Sequence, residues 1–170
     1  MVIEYPKAKV RRDNLIFIFD LDGTVIDSRH RQGESLADWF RLNTRENIFK
    51  DVPLRLGGYI KELYYRGYKV LICTSRSLGK DDLDYLYDVL EVPTAIKLVS
   101  RRHGDNTPSF TLKKKKLSYL ENFKHSREKV KILIDDEQDN LNSFEELGGN
   151  CYGIHPEQAE EFIQIVLQIK

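Results

Sequence analysis

The chain has 170 residues, 41% of them hydrophobic and 32% charged, enough for one sizeable core and unlike a disordered or membrane-spanning composition. Its 27 basic and 27 acidic residues cancel, so no net field draws the whole molecule to nucleic acid or to an anionic membrane, and only a local basic patch can do so. Its two cysteines, Cys73 and Cys151, lie far apart and match no zinc spacing, so no disulfide framework is expected and a reducing compartment is favoured.

In chain order, the stretch MVIEYPKAKVRRDN has no signal-peptide core, and no apolar run is long enough to span a bilayer. A soluble cytoplasmic protein with no membrane partner is expected. The first apolar run, Leu15–Phe19, reads as a buried strand. Residues 29–53 are polar, with one short helix expected around 35–42. A helix follows over 59–66, closed by Gly67. Next come a strand at 70–73, a helix at 82–90 with acidic residues at its start, and a strand at 96–99. Residues 100–110, SRRHGDNTPSF, are a loop by composition. A helix over 113–123, a strand at Val130–Ile134, a helix over 140–147, a weaker strand at Cys151–Ile154 and an amphipathic helix over 156–168 complete the chain.

The strand runs are rich in Ile, Val, Leu and Phe without clear alternation, as in strands covered on both faces. Strands alternating with helices imply a mostly parallel, three-layer α/β domain. Ligands of such sheets sit outside the carboxyl ends of the strands. The first strand delivers Asp20 and Asp22 there, the second Thr74, Ser75 and Arg76, and the fourth Asp135, Asp136 and Asp139. Crowded carboxylates repel unless a cation compensates them, and a hard cation with oxygen ligands, Mg²⁺, is the natural choice. One carboxylate can then attack phosphorus while a second handles the proton of the leaving oxygen. Gly23 lets the chain turn away sharply after the pair. Asp27 and Asp139 read as turn or capping residues.

The stretch DLDGT, Asp20 to Thr24, resembles the first motif, D-x-D-G-T, of the haloacid dehalogenase superfamily. Thr74 at a strand end, a lysine at 113–116 and the IDD of Ile134 to Asp136 follow in that superfamily's order, over about residues 15–155. The resemblance implies a three-layer, Rossmann-like fold with a mostly parallel central sheet. It implies that Asp20 is the nucleophile that takes up the phosphoryl group and that Asp22 is the general acid and base. Metal would be held by Asp20, the Asp22 carbonyl, Asp135 and Asp136. Thr74 would bond the transferring phosphoryl group and a lysine would offset its charge. Lys113 is the first choice for that lysine, with Lys114 and Lys116 next, because the superfamily lysine sits near a helix start.

A narrower resemblance concerns VSRRHGDNTPSFTLKKKKL, Val99 to Leu117, which is similar to the phosphatase domain of phage-type polynucleotide kinases. It implies removal of phosphate from nucleic-acid 3′ ends. No G-x-x-x-x-G-K-[ST] is present, so no kinase activity is expected. Substrate contacts are expected from Thr74, Ser75, Arg76 and Arg102, with Arg101 and His103 on the same basic rim. Trp39 and Phe40 are candidates for stacking a base, although packing is the plainer role for Trp39 and loop exposure the plainer role for His103.

The expected organisation is a single domain over 1–170, capless or with a small cap-like insertion at about 29–53. By analogy, an open site admits nucleic-acid ends and a capped one small substrates. The leading expectation is a Mg²⁺-dependent 3′-phosphatase acting on a phosphorylated nucleic-acid end or a nucleotide. The alternatives are a 5′-nucleotidase or small-metabolite phosphatase, and, in a different class, a non-catalytic module binding phosphate or nucleic acid. The order of the acidic motifs disfavours a receiver domain. The sequence leaves monomer and dimer open.

Overall fold

Five of the apolar runs pair into one sheet in which every neighbouring pair is parallel. The computed structural model describes residues 12–119 and 129–168. The strands of this sheet are β1 (Leu15–Phe19), β4 (Lys69–Cys73), β5 (Lys97–Val99), β6 (Val130–Ile134) and β7 (Cys151–Ile154), in the order β5-β4-β1-β6-β7. Two-residue strands β2 (Ile26–Asp27) and β3 (Val52–Pro53) pair antiparallel outside it. The helices are α1 (Leu36–Leu42), α2 (Arg45–Ile48), α3 (Leu56–Tyr65), α4 (Lys80–Asp88), α5 (Ser109–Ser118), α6 (Gln138–Glu145) and α7 (Pro156–Leu167).

All five residues of β1 are buried, and successive side chains enter opposite faces. Phe17 and Phe19 join a core with Ile60 and Leu63 of α3, Tyr85 and Leu86 of α4, and Phe162 and Ile163 of α7. Ile16 and Ile18 join a smaller core with Leu117 of α5 and Leu141 and Phe144 of α6. This is the three-layer α/β sandwich expected from the unalternating apolar runs.

Register then places the strand ends side by side. Phe19 pairs with Ile72 on one flank and with Ile134 on the other. The next residues, Asp20, Cys73 and Asp135, therefore emerge at one level. The order of the strands reverses at β1 and β6, which makes this edge the switch point where open parallel sheets bind ligands.

Helix ends follow local chemistry. Gly67, with φ of 89°, accepts the left-handed turn that closes α3, and Tyr68 N bonds back to Leu63 O at 3.0 Å. Two elements depart from the sequence expectation. Helix α5 begins at Ser109, four residues before Lys113, because Pro108 supplies a fixed φ just before it; the expected end at 120–123 lies outside the described residues. The polar segment 29–53 carries two helices instead of one, closed at its base by β2 and β3. Pairs of two residues have no periodicity to read. Among the described residues no helix is long and apolar enough to cross a membrane.

Candidate active site

The turn after β1 builds the first part of the site. Thr24 N, Val25 N and Ile26 N all bond to Leu21 O, and Gly23 N bonds to Ile26 O. Gly23 has φ of 77°, and a Cβ on it would fall 2.2 Å from Asp136 Oδ2. The positive φ is what favours glycine here, and the missing side chain also leaves room for the Asp136 carboxylate. Asp27 is the turn residue expected, accepting a bond from Arg29 N at 3.1 Å.

Asp20 and Asp135 are 5% and 0% exposed, and Lys113 is 2% exposed. The Lys113 ammonium donates to Asp20 Oδ1 at 2.7 Å and to Asp135 Oδ2 at 2.5 Å. Lys113 and Leu117, one turn apart, share the inner face of α5, which is why this lysine reaches the cluster. Lys114 points away to Glu146 at 2.7 Å, and Lys116 bonds to Ser100 O. Asp135 is braced by Asn140 Nδ2, at 3.1 and 3.0 Å from its two oxygens, and by Glu137 N at 2.9 Å.

Asp20, Asp135 and the exposed Asp136 each offer an oxygen, and these lie within 4.8 Å of one another. The electrostatics record the crowding. Burial pushes the Asp20 carboxyl up to about 8, with the Lys113 charge opposing and Asp135 adding to it. Burial and then the charge of Asp135 also raise Asp136 and Glu137. Burial works against the Lys113 ammonium, but the charges of Asp20 and Asp135 outweigh it and hold Lys113 above its usual range. Three carboxylates against one ammonium is an uncompensated set of hard oxygen donors, and it fits a Mg²⁺ ion.

Asp22 stands apart from that cluster. Its carboxylate accepts from Ser28 Oγ at 2.5 Å and from Arg76 through Nε at 3.2 Å and through Nη2. Arg76 also bonds Asp82 at 3.0 Å and lies 3.9 Å from Asp51. Arg31 meets Asp51 with two bonds of 2.7 and 2.8 Å, both side chains being almost fully enclosed. Thr74 is buried and accepts from Arg76 N at 3.0 Å. Ser75 Oγ shares a short hydrogen bond with Ser109 Oγ.

Arg31 and Arg76 both converge on Asp51 near the end of segment 29–53. Tyr85 OH donates to Asp51 O at 2.7 Å, and Arg45 pairs with Asp81 and Asp84 of α4 at 2.9 and 2.7 Å. Segment 29–53 is thereby seated on α4 beside a pocket of about 630 Å³. The pocket is lined by Asp22, Ser75 and Arg76 and also by Trp39, Phe40 and His103. A second groove of about 490 Å³ lies between α5 and α6, and the linings of both cavities leave out Asp20, Asp135 and Asp136.

The structure brings together Asp20, Asp135, Asp136 and Lys113, and sets Asp22, Ser75 and Arg76 on the adjoining pocket. Arg102 is exposed and lies outside the pocket lining. Its neighbour Arg101 lines the pocket and pins the loop, donating to Ser75 O at 2.6 Å and to Asp105 O and Thr107 O at 2.7 Å each. Asp139 sits in the first turn of α6, the place expected of a capping acid. Sequence reasoning missed Asn140, Arg31, Asp51 and Asp82. Asn140 had a readable signal, one turn into the helix after the second acidic motif. The others had none, since their pairing joins distant segments.

The profile of a family described as bacteriophage T5 5′-deoxynucleotidase matches residues 7–153. No curated protein sequence matches. Among solved structures, the fold is similar to a chain of the Pnkp1/Rnl/Hen1 RNA repair complex, with a TM-score of 0.59 and 20% identity over 84% of this chain and 42% of that one. The present chain thus spans less than half the length of that relative. It is also similar to a haloacid dehalogenase-like hydrolase from Streptococcus pneumoniae, with a TM-score of 0.59 and 14% identity over 88% of this chain and 98% of that one. A third likeness is to the haloacid dehalogenase domain of the effector protein Lem4 from Legionella pneumophila, with a TM-score of 0.54 and 14% identity over 92% and 97% of the two chains. The fold is that of the haloacid dehalogenase superfamily.

Proposed function

The chain belongs to the bacteriophage T5 5′-deoxynucleotidase family and is an enzyme of the hydrolase class, and from that premise we propose that it removes the phosphate of deoxynucleoside 5′-monophosphates. The observation that carries the chemistry is the buried Lys113 ammonium bonded to both Asp20 and Asp135 at the sheet edge. A carboxylate is a poor nucleophile toward a phosphate dianion unless positive charge offsets their repulsion. Lys113 provides one such charge. Asp20, Asp135, Asp136 and the main-chain carbonyl of Asp22 would hold Mg²⁺. When bound, the ion neutralises further negative charge on the carboxylates and the phosphate.

In this reading Asp20 attacks phosphorus and the bond to the 5′-oxygen breaks. Asp22 gives its proton to that oxygen, so the nucleoside leaves neutral and an aspartyl phosphate remains on Asp20. Asp22 then takes a proton from water as the water attacks phosphorus, and inorganic phosphate leaves with Asp20 restored. Arg76 and Ser28 orient Asp22, and Thr74 donates its hydroxyl proton to the phosphoryl group. Residues 29–53 serve as a small cap on a single domain, and their position beside the pocket suits a mononucleotide.

The second reading is removal of 3′ phosphates from nucleic-acid ends. It is favoured by the likeness to the RNA repair chain and by the loop-to-lysine stretch 99–117, and ranks after the family match. Phosphate release with Mg²⁺ from deoxynucleotides, ribonucleotides and a 3′-phosphorylated oligonucleotide tests both, with Asp20→Asn as the control. Turnover of deoxynucleotides alone is expected. Turnover confined to the oligonucleotide would replace the first reading with the second.

A further inference from the structure

Part of the pocket lining has a composition that the phosphoryl chemistry does not use. Phe40, on α1 of the insertion, is 55% exposed although it is a large apolar side chain. Trp39 holds it edge to face, with centroids 5.3 Å apart at 80°. On its other side Phe40 meets His103, from the loop after β5, at 6.5 Å and 71°. The two rings come from separate segments and meet over the same pocket that holds Asp22 and Arg76. The same pocket is lined by Asn106, an amide that presents a donor and an acceptor together, whereas the Gln32 amide donates to Ser28 Oγ at 3.1 Å beside Asp22.

Both walls are held in place. Arg101 binds two carbonyls of the loop that carries His103, Asp105 O and Thr107 O, and ties that loop to Ser75 O after β4. His30 Nε2 lies 2.9 Å from Asn47 O, and Asn47 Nδ2 donates to Leu42 O at 2.8 Å, tying the turn before α1 to the end of that helix. Walls fixed before binding spare the ligand the cost of ordering them. An exposed aromatic face in a pocket with polar lining suits a flat, heterocyclic ligand with hydrogen-bonding edges. A phosphate has no flat apolar face to set against a phenyl ring.

We propose that Phe40 and His103 form a nucleobase clamp, in which the base of the mononucleotide stacks on Phe40 and replaces the contact that His103 now makes, His103 becoming the facing wall. The clamp rests on the deoxynucleotidase reading and adds how that site tells a nucleotide from other phosphomonoesters. Stacking also tolerates every base, because each has a π face.

The test compares kcat/KM for deoxynucleoside 5′-monophosphates with kcat/KM for deoxyribose 5-phosphate, which lacks the base. Damage to the fold or to the phosphoryl site lowers both and leaves their ratio alone. In Phe40→Ala the ratio should fall about 5- to 150-fold, the range that loss of one stacked base corresponds to. Phe40→Trp should keep it, and His103→Ala should lower it independently. An unchanged ratio in Phe40→Ala and His103→Ala overturns the clamp while the deoxynucleotidase reading stands. A wild-type enzyme that hydrolyses deoxyribose 5-phosphate but no deoxynucleotide overturns the reading and the clamp together.

Discussion

Two charged clusters lie a few residues apart in this molecule and behave in opposite ways. At the sheet edge, Asp20, Asp135 and Asp136 face one ammonium, Lys113. Beneath the insertion, Asp22, Asp51 and Asp82 meet two guanidinium groups, Arg31 and Arg76. The second set has nearly balanced charge, and the forked geometry of arginine satisfies several carboxylate oxygens at once. The first set is left short of positive charge, and burial, with the charge of Asp135 adding to it, pushes Asp20 and Asp136 toward their protonated forms. Compensation joins segments and holds Asp22 in place, whereas its lack leaves room for a cation.

The largest effect expected comes from the uncompensated cluster. Asp20→Asn removes the attacking oxygen while keeping shape, so turnover should fall by a factor on the order of 10⁴ or more. Phosphate release measured with saturating Mg²⁺ reads it. Because the cluster already favours a neutral group at this position, the metal-free melting temperature of the variant should be no lower than that of the wild type. A clear drop in that temperature would mean that the Asp20 charge supports the fold.

In the balanced cluster the same kind of change should strike stability first. Arg31→Ala leaves Asp51 enclosed without its bidentate partner, a loss of about 3–5 kcal/mol. Urea unfolding with an unchanged m-value measures it. A loss below about 1 kcal/mol, the scale of a surface pair, would show that water reaches Asp51.

The smallest expected effect sharpens the contrast through pH. The Asp20 carboxyl is raised from 3.8 to about 8 in the folded chain. Between those values the folded state holds a proton that the unfolded state has released, so metal-free stability falls as pH rises across that window. Mg²⁺ takes the place of the proton and should remove the fall. The gain in melting temperature on adding Mg²⁺ should therefore grow from pH 5 to pH 8. With this chain length each kcal/mol corresponds to about 2–4 °C. A gain independent of pH would separate Asp20 from the metal.

Much of this was legible before any coordinates. The buried strands were readable from unalternating apolar runs, and β1, β6 and β7 have the bounds expected. Asp20, Asp22, Asp135 and Asp136 stood out because each lies within three residues of the end of a strand, so their placement is local. Lys113 was one choice among four, and its burial depended on which face of α5 turns inward. The cap-like segment was visible as a polar stretch, but its second helix and two short strands were not. Arg102 was the expected contact on the loop after β5, yet Arg101 is the residue that lines the pocket and holds that loop.

The sequence by itself determined the strand order of events: which residues end each parallel strand, and hence that carboxylates gather at one edge of an α/β sheet. That follows from the unalternating apolar runs and from the rule that such sheets bind at their carboxyl ends. Only the tertiary structure decided which charges neutralise one another. Arg31 and Asp51 are 20 residues apart, Asp22 and Arg76 are 54 apart, and Lys113 and Asp20 are 93 apart. Pairing over such distances is set by how whole elements pack, and no local pattern of residues records it.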